Sequence, residues 1–182
     1  MELPHDIYKA RSTLRLVFGL IGFNTDNKLI IGKVTPDQAK QLNIRDAVTS
    51  GPFLIVNGQS SRVIGNGGWG TAPRTAIGQR KDGVVLLLVI DGRKVGRAGA
   101  QMNDLIEIME RYGAYNAAAL DGGTSSVMIE NYKIINDPIN SDGVHKTRPV
   151  ATAWGLILDD SSSSTSNSQT KAKNNTTNGG RK

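Results

Sequence analysis

Short apolar runs alternate with polar, glycine-rich stretches along the chain, and only two segments carry a helical period. Residues 14–18 and 28–33 read as strands joined by a turn around Asn24-Thr25-Asp26-Asn27. Thr35-Pro36-Asp37 opens a short helix reaching about Leu42, with Thr35 as N-cap and Pro36 at the first helical position. Residues 52–57 form a short apolar strand that Asn57-Gly58 ends, and residues 59–72 form a polar, glycine-rich loop. Residues 74–78 read as a short strand. Residues 84–90 are apolar without a break, which predicts a strand buried on both faces. The clearest helix is 101–112, where Met102, Leu105, Ile106, Met109 and Tyr112 fall on one stripe and Gly113 stands as the terminator. Residues 114–120 and 126–130 read as strands, the second forming a hairpin with 132–136, and residues 150–158 as the last strand. Strands outnumber helices by about three to one, so the expected fold is α+β, a single domain with a largely antiparallel or mixed sheet and a few helices.

Composition sharpens this picture. The apolar fraction is 38% and aromatics only 5%, so the core is aliphatic, and 21 glycines clustered mid-chain fit tight turns between strands better than a helical bundle. There is no cysteine, which excludes disulfides and thiolate metal sites. Histidine occurs only as His5 and His145, too few for a multi-histidine zinc site. The net charge of +6 resides mainly at the end of the chain. Lys171, Lys173, Arg181 and Lys182 face no acid after residue 160, whereas 18 basic and 16 acidic residues share the first 160. No basic and aromatic residues interleave, so nucleic acid is not an expected partner. No run approaches the ~20 apolar residues of a membrane helix, and residues 14–23 lack the order of a signal peptide. Residues 159–182 are rich in Ser, Thr, Asn, Gly and Lys and are expected to be a disordered basic tail. Residues 1–13 read as an arm or truncation edge, and 14–158 as the domain.

The most informative chemistry is Leu120-Asp121-Gly122-Gly123-Thr124-Ser125-Ser126. A carboxylate leaves an apolar strand, followed by two glycines that allow a tight turn or a close ligand approach, and then by three hydroxyls. Asp121 would sit at a sheet rim; a plain strand-ending turn is the other reading. Arg74 begins a strand after a loop holding Gly65, Gly67, Gly68 and Gly70. That placement suits capture of phosphate or carboxylate, or a simple strand-edge arginine. Asp91-Gly92-Arg93 ends the most apolar strand, as a turn or with Asp91 in a substrate or capping role. Asn136-Asp137-Pro138-Ile139-Asn140-Ser141-Asp142-Gly143, then His145 and Arg148-Pro149, form a polar loop able to bring Asp142 and Arg148 toward the Asp121 rim.

Taken in order, Pro73-Arg74-Thr75-Ala76-Ile77-Gly78, Asp91-Gly92-Arg93, Leu120 to Ser126, Ser141-Asp142 and Arg148-Pro149-Val150 resemble the motif series of the phosphodiester glycosidase family. The likeness covers roughly residues 48–158, and bacterial and phage members are often associated with exopolysaccharide biosynthesis. Thr124 stands where the family usually has a third glycine, and Asn140 where it has proline. The family's upstream Asn-Gly-Gly-Phe-Phe type segment has no match, which implies a shortened member or part of a longer chain.

The resemblance implies hydrolysis of a sugar-1-phosphodiester, on an N-acetylhexosamine-type or cell-envelope glycan. Asp121, Asp142 and Arg74 are the implied catalytic residues. Arg148, Thr75, Gly122, Gly123, Ser125 and Asp91 are the implied substrate-binding ones. The partner is then a phosphorylated carbohydrate, and an extracytoplasmic location is suggested. No cofactor is expected. Aspartate-rich loops accept hard cations through oxygen, so a divalent ion stays an alternative, but no EF-hand spacing is present. Two other readings stay open: a non-catalytic binder of phosphorylated or anionic glycans, and a structural module of a phage or cell surface.

Overall fold

The computed structural model describes residues 19–157. Within them the chain up to Ala151 belongs to one compact unit. Residues 152–157 belong to a second and carry neither helix nor strand. The expected strand at 14–18, the arm and the basic tail lie outside the described residues.

Three strands, β1 (Gly19–Asn24), β2 (Leu29–Gly32) and β3 (Ile44–Ser50), form one sheet in the order β2-β1-β3. Asn24 shapes the β1–β2 turn, its Oδ1 accepting from the backbone N–H groups of Asp26 and Lys28 at 3.0 and 2.9 Å. Helix α1 (Pro36–Gln41) starts as its sequence dictates. Thr35 Oγ1 accepts from Gln38 N–H, while Gln38 Oε1 accepts from Thr35 N–H at 2.8 Å, a reciprocal capping box.

The second sheet has five strands: β4 (Phe53–Val56), β5 (Gln59–Ser60), β6 (Arg74–Arg80), β7 (Val85–Ile90) and β8 (Ala114–Ala119), in the order β5-β4-β8-β6-β7. Every pairing in both sheets is antiparallel. With the two helices, α1 and α2 (Met102–Arg111), this is an α+β fold. Helix α2 lies on the five-stranded sheet and buries Met102, Leu105, Ile106 and Met109 against Leu54, Ile55, Ala76, Ala117 and Ala119. The sheet face under it is small-residued for a reason. A Cβ on Gly78 would come within 3.1 Å of both Met109 Sδ and the Asn116 carbonyl, so a larger residue would crowd the helix against the sheet.

The two sheets are joined by amides. Gln79 and Asn116 are cross-strand partners on β6 and β8. Gln79 Oε1 accepts from Leu29 N–H at 2.7 Å and its Nε2 donates to the Asn27 carbonyl at 2.8 Å. Asn116 Nδ2 donates to the Leu29 carbonyl at 3.0 Å. Gln79 is buried, and these bonds satisfy polar atoms that water does not reach.

The structure departs from the sequence pattern at five places. Strand β7 is an edge strand, with Leu87 and, just before it, Val84 exposed, because an unbroken apolar run does not say how many neighbours a strand has. Tyr112 is 63% exposed and caps α2 rather than extending its apolar stripe. Strand β3 was not foreseen: Ile44-Arg45-Asp46-Ala47 reads polar because most of this strand is exposed. After β8 the chain forms a 3-10 turn at Gly123–Ser125, and only β9 (Ile129–Glu130) and β10 (Lys133–Ile134) pair. Finally, no strand occurs at 150–157; Val150, Leu156 and Ile157 are exposed, and no described strand pairs with them to supply a ladder.

Candidate active site

Antiparallel pairing decides where the chemistry gathers. Strand β6 begins at Arg74, opposite Ile90 at the end of β7, and Ala76 lies opposite Ala119 at the end of β8. The start of β6 and the ends of β7 and β8 therefore share one rim of the sheet. Arg74, Asp91-Gly92-Arg93 and Asp121 all emerge there, although the chain visits them about twenty to thirty residues apart.

Asp121 is exposed and doubly bonded through one oxygen. Its Oδ2 accepts from Ser125 Oγ at 2.7 Å and from an Arg148 Nη at 2.7 Å. Arg148 Nε donates to Ser125 Oγ at 2.6 Å and closes a three-membered ring of contacts. Oδ1 has no hydrogen-bond partner among the described residues. The turn beneath is held by backbone. Gly123 N–H donates to the Pro73 carbonyl at 2.8 Å, at a φ of +62° that favours glycine. A Cβ on Gly122 would meet the same carbonyl at 2.9 Å. Gly123 N–H is thus spent inside the fold rather than offered to a ligand. Thr124, in the place of a third glycine, needs no positive φ.

Arg74 is used differently from a surface clamp. It is only 6% exposed; its Nε donates to the Ala100 carbonyl at 3.0 Å, and one Nη donates to the carbonyls of Trp69, at 3.0 Å, and Gly70. It fastens the glycine-rich loop to the rim. Burial, and then the charge of Arg93, push its pKa below the ordinary arginine value. Thr75 donates its hydroxyl to the buried Ser126 Oγ at 3.0 Å, tying β6 to the turn after Asp121.

Asp91 also serves the fold. Its Oδ1 accepts from Asn136 Nδ2 at 2.9 Å and from Asp137 N–H at 3.0 Å. Asp142 is exposed, and its hydrogen bonds stay within residues 140–142, from Asn140 Nδ2, Ser141 Oγ and its own N–H to Asn140 Oδ1. The structure thus brings Asp121, Ser125 and Arg148 into direct contact. Arg74 and Thr75 stand beneath the same rim, and Asp91 and Asp142 are bonded to the loop segments around residues 136–142.

Three groups at this rim were not singled out from the sequence. Arg93 Nη1 donates to Thr124 Oγ1 at 3.1 Å and to the Ile139 carbonyl at 3.0 Å. Asn136 joins three segments, accepting from Met128 N–H at 2.8 Å and donating to Asp91 and to the Ser126 carbonyl. Asp137 takes Lys94 and Arg97 as ion-pair partners, with His145 Nδ1 at 2.8 Å. The Lys94 hydrogen bond, chiefly, holds the Asp137 carboxyl below the usual aspartate value; burial opposes this, and the charges of His145, Lys94 and Arg97 add to it. The signal for Arg93 was its place in Asp-Gly-Arg; none marked Asn136 or Asp137 apart from turn formers. Among the described residues no three acidic or histidine side chains gather as a metal site requires, and no helix is long and apolar enough to cross a membrane.

A sequence model of the family described as phosphodiester glycosidase matches residues 6–157. The chain belongs to the phosphodiester glycosidase family. Its fold is that of the zebrafish N-acetylglucosamine-1-phosphodiester α-N-acetylglucosaminidase catalytic domain, auto-inhibited by its pro-peptide, with a TM-score of 0.60 at 18% identity over 72% of this chain and 49% of that one. A putative exported protein of Burkholderia pseudomallei K96243 aligns at 30% identity and a TM-score of 0.45, over 56% of this chain and 24% of that one. The SPbeta prophage-derived uncharacterized protein YomE of Bacillus subtilis strain 168 is 39% identical over 74 residues, 41% of this chain and 11% of that protein. The chain therefore spans about half of the zebrafish domain structure and about a tenth of the prophage relative. Within the phosphodiester glycosidase frame, the rim described above coincides with the segments that carry the motif series.

Proposed function

We propose that this chain hydrolyses the bond between an anomeric carbon and a phosphate oxygen in a sugar-1-phosphodiester, with Asp121 as the reacting carboxylate. The observation that carries the proposal is the Asp121–Ser125–Arg148 ring at 2.6–2.7 Å. Both bonds to the carboxylate fall on Oδ2. Oδ1 is left to attack, to stabilise an oxocarbenium-like centre or to activate water. Arg148 and Ser125 hold the carboxylate in one orientation, which is what such a role requires.

The leaving group makes modest demands. A departing phosphate monoester carries its own negative charge well, so positive charge near it replaces much of the proton donation that an ordinary glycoside needs. Arg74 contributes charge from beneath the rim without offering the donors that already hold backbone carbonyls. Asp142 has no bond to the ring, and we assign it no step. An N-acetylhexosamine or other cell-envelope glycan phosphate is the substrate class that family membership favours.

Sugar release from a panel of sugar-1-phosphodiesters, nucleotide sugars included, tests the reading. Turnover lost in Asp121→Ala and kept in Asp142→Ala supports it. Full activity of Asp121→Ala overturns it. Binding without turnover by the unaltered chain makes it a phosphorylated-glycan binder instead.

A further inference from the structure

We infer that Arg93 is the residue that grips the phosphoryl group at this rim, as a guanidinium aimed across the Gly123 turn. The inference deepens the glycosidase reading and rests on it for the identity of the anion.

Three observations converge. The first is an unbalanced charge. Among the described residues Arg148 pairs with Asp121, and Lys94 and Arg97 share Asp137, while Lys146, also without an acid, is exposed to solvent. Arg93 has no carboxylate within ion-pair distance, and the charge it acts on is another guanidinium, that of Arg74. Arg74 has no acid either; its bonds go to neutral carbonyls. Two like charges left together at a half-buried rim without a counter-charge favour an anion between or beside them.

The second is donor geometry. Arg93 spends Nη1 on Thr124 Oγ1 and the Ile139 carbonyl. Nε and Nη2 make no hydrogen bond among the described residues. Nη2 lies 2.9 Å from where a Cβ on Gly123 would stand, so the absence of a side chain there is what lets the fork reach over the turn. A guanidinium with two donors still open suits the oxygens of a phosphoryl group.

The third is backbone conformation. Arg93 holds a φ of +62°, in the left-handed region that residues with a Cβ avoid. It is pinned there by its N–H to the Ala98 carbonyl at 3.2 Å, in the tight hairpin where Lys94 bridges Arg97. That conformation sends the side chain back over the rim instead of along the hairpin into solvent.

Titration calorimetry with inorganic phosphate, on the full chain, tests the inference alongside sugar release. Arg93→Gln is expected to weaken phosphate binding by about 10- to 100-fold, the scale of hydrogen bonds to a charged partner. Arg93→Lys, which keeps the charge and loses the fork, should fall between. Lys133→Gln, the same charge change on β10, should leave binding unchanged. Circular dichroism confirms folding of each variant, and Arg93→Lys carries the test if Arg93→Gln fails to fold. Unaltered phosphate affinity in the folded Arg93 variants overturns the inference, as does an unaltered chain that binds no phosphate at millimolar concentration. Equal weakening by Lys133→Gln also overturns it, by reducing the effect to net charge. The two readings fail separately. Sugar release that survives without Arg93-dependent phosphate binding leaves the glycosidase reading standing alone. Arg93-dependent binding with no sugar release leaves an anion site and no enzyme.

Discussion

Asn136 holds Asp91 at 2.9 Å across 45 positions of sequence, and the same amide nitrogen reaches the Ser126 carbonyl. One side chain thus fastens the end of β7, the turn after Asp121 and the loop that leads to Arg148. Asn136→Ala removes a donor and an acceptor together, taking this partner from Met128 N–H and the Ser126 carbonyl and leaving Asp91 Oδ1 only the Asp137 N–H. A loss of about 1–3 kcal/mol in urea-induced unfolding is expected. Asn136→Asp should be worse near neutral pH, because it sets a second carboxylate against Asp91, and the difference between the two variants should shrink as both acids protonate.

Ser125 does no chemistry in the proposed mechanism, yet it donates to Asp121 and accepts from Arg148. Ser125→Ala should lower kcat by about tenfold, the equivalent of one ordinary hydrogen bond, with little change in KM. Asp121→Asn should lower it by about 1000-fold or more, the scale expected when a central catalytic group is removed. Steady-state kinetics on whichever sugar phosphodiester is turned over will separate the two. Equal losses from both would mean that Ser125 itself reacts.

Asp137 makes an acid-limb prediction. Its carboxyl titrates below the ordinary 3.8 in the folded chain, chiefly through Lys94. The unfolded chain therefore binds the proton more readily. The stabilisation is complete above about pH 4 and is lost as pH falls toward the folded value. The Tm advantage of the unaltered chain over Asp137→Asn should narrow as pH falls from about 4 to 3. A gap that stays constant to pH 3 would assign the stabilisation to packing.

Gly78 lies on β6 directly under Met109 of α2. Gly78→Ala should cost about 1–3 kcal/mol, because the new methyl meets a backbone carbonyl that cannot yield as well as the Met109 sulfur. Pairing it with Met109→Ala should recover only part of that loss, since it relieves one contact and opens a void. Chemical denaturation of the single and double variants checks both statements.

The rim was legible in the sequence because its motifs lie at strand ends. Arg74 opens an apolar run, while Asp91 and Asp121 each close one, and antiparallel order folds those three points together. The helix at 102–111 was legible because its stripe has a single period. What sequence withheld was the use of each side chain. Arginine after a glycine-rich loop reads the same whether its fork meets a ligand or, as at Arg74, the carbonyls of that loop. Arg93 was visible only as the end of Asp91-Gly92-Arg93, with no role of its own, because its positive φ, a property of the hairpin around it, has no signature in residue type. Strand β3 and the unpaired stretch at 150–157 show the same limit from the other side. Pairing depends on a neighbour, which composition does not name.

Gln79 and Asn116 sit opposite each other on β6 and β8 and both grip the edge of β2. The three-stranded sheet lends no side chain to the Asp121 rim, yet it is bolted to the far ends of the two strands that bear Arg74 and Asp121. Those strands behave as cantilevers with a common clamp. A displacement of either strand at the rim is thus tied, some distance away, to a pair of uncharged amides.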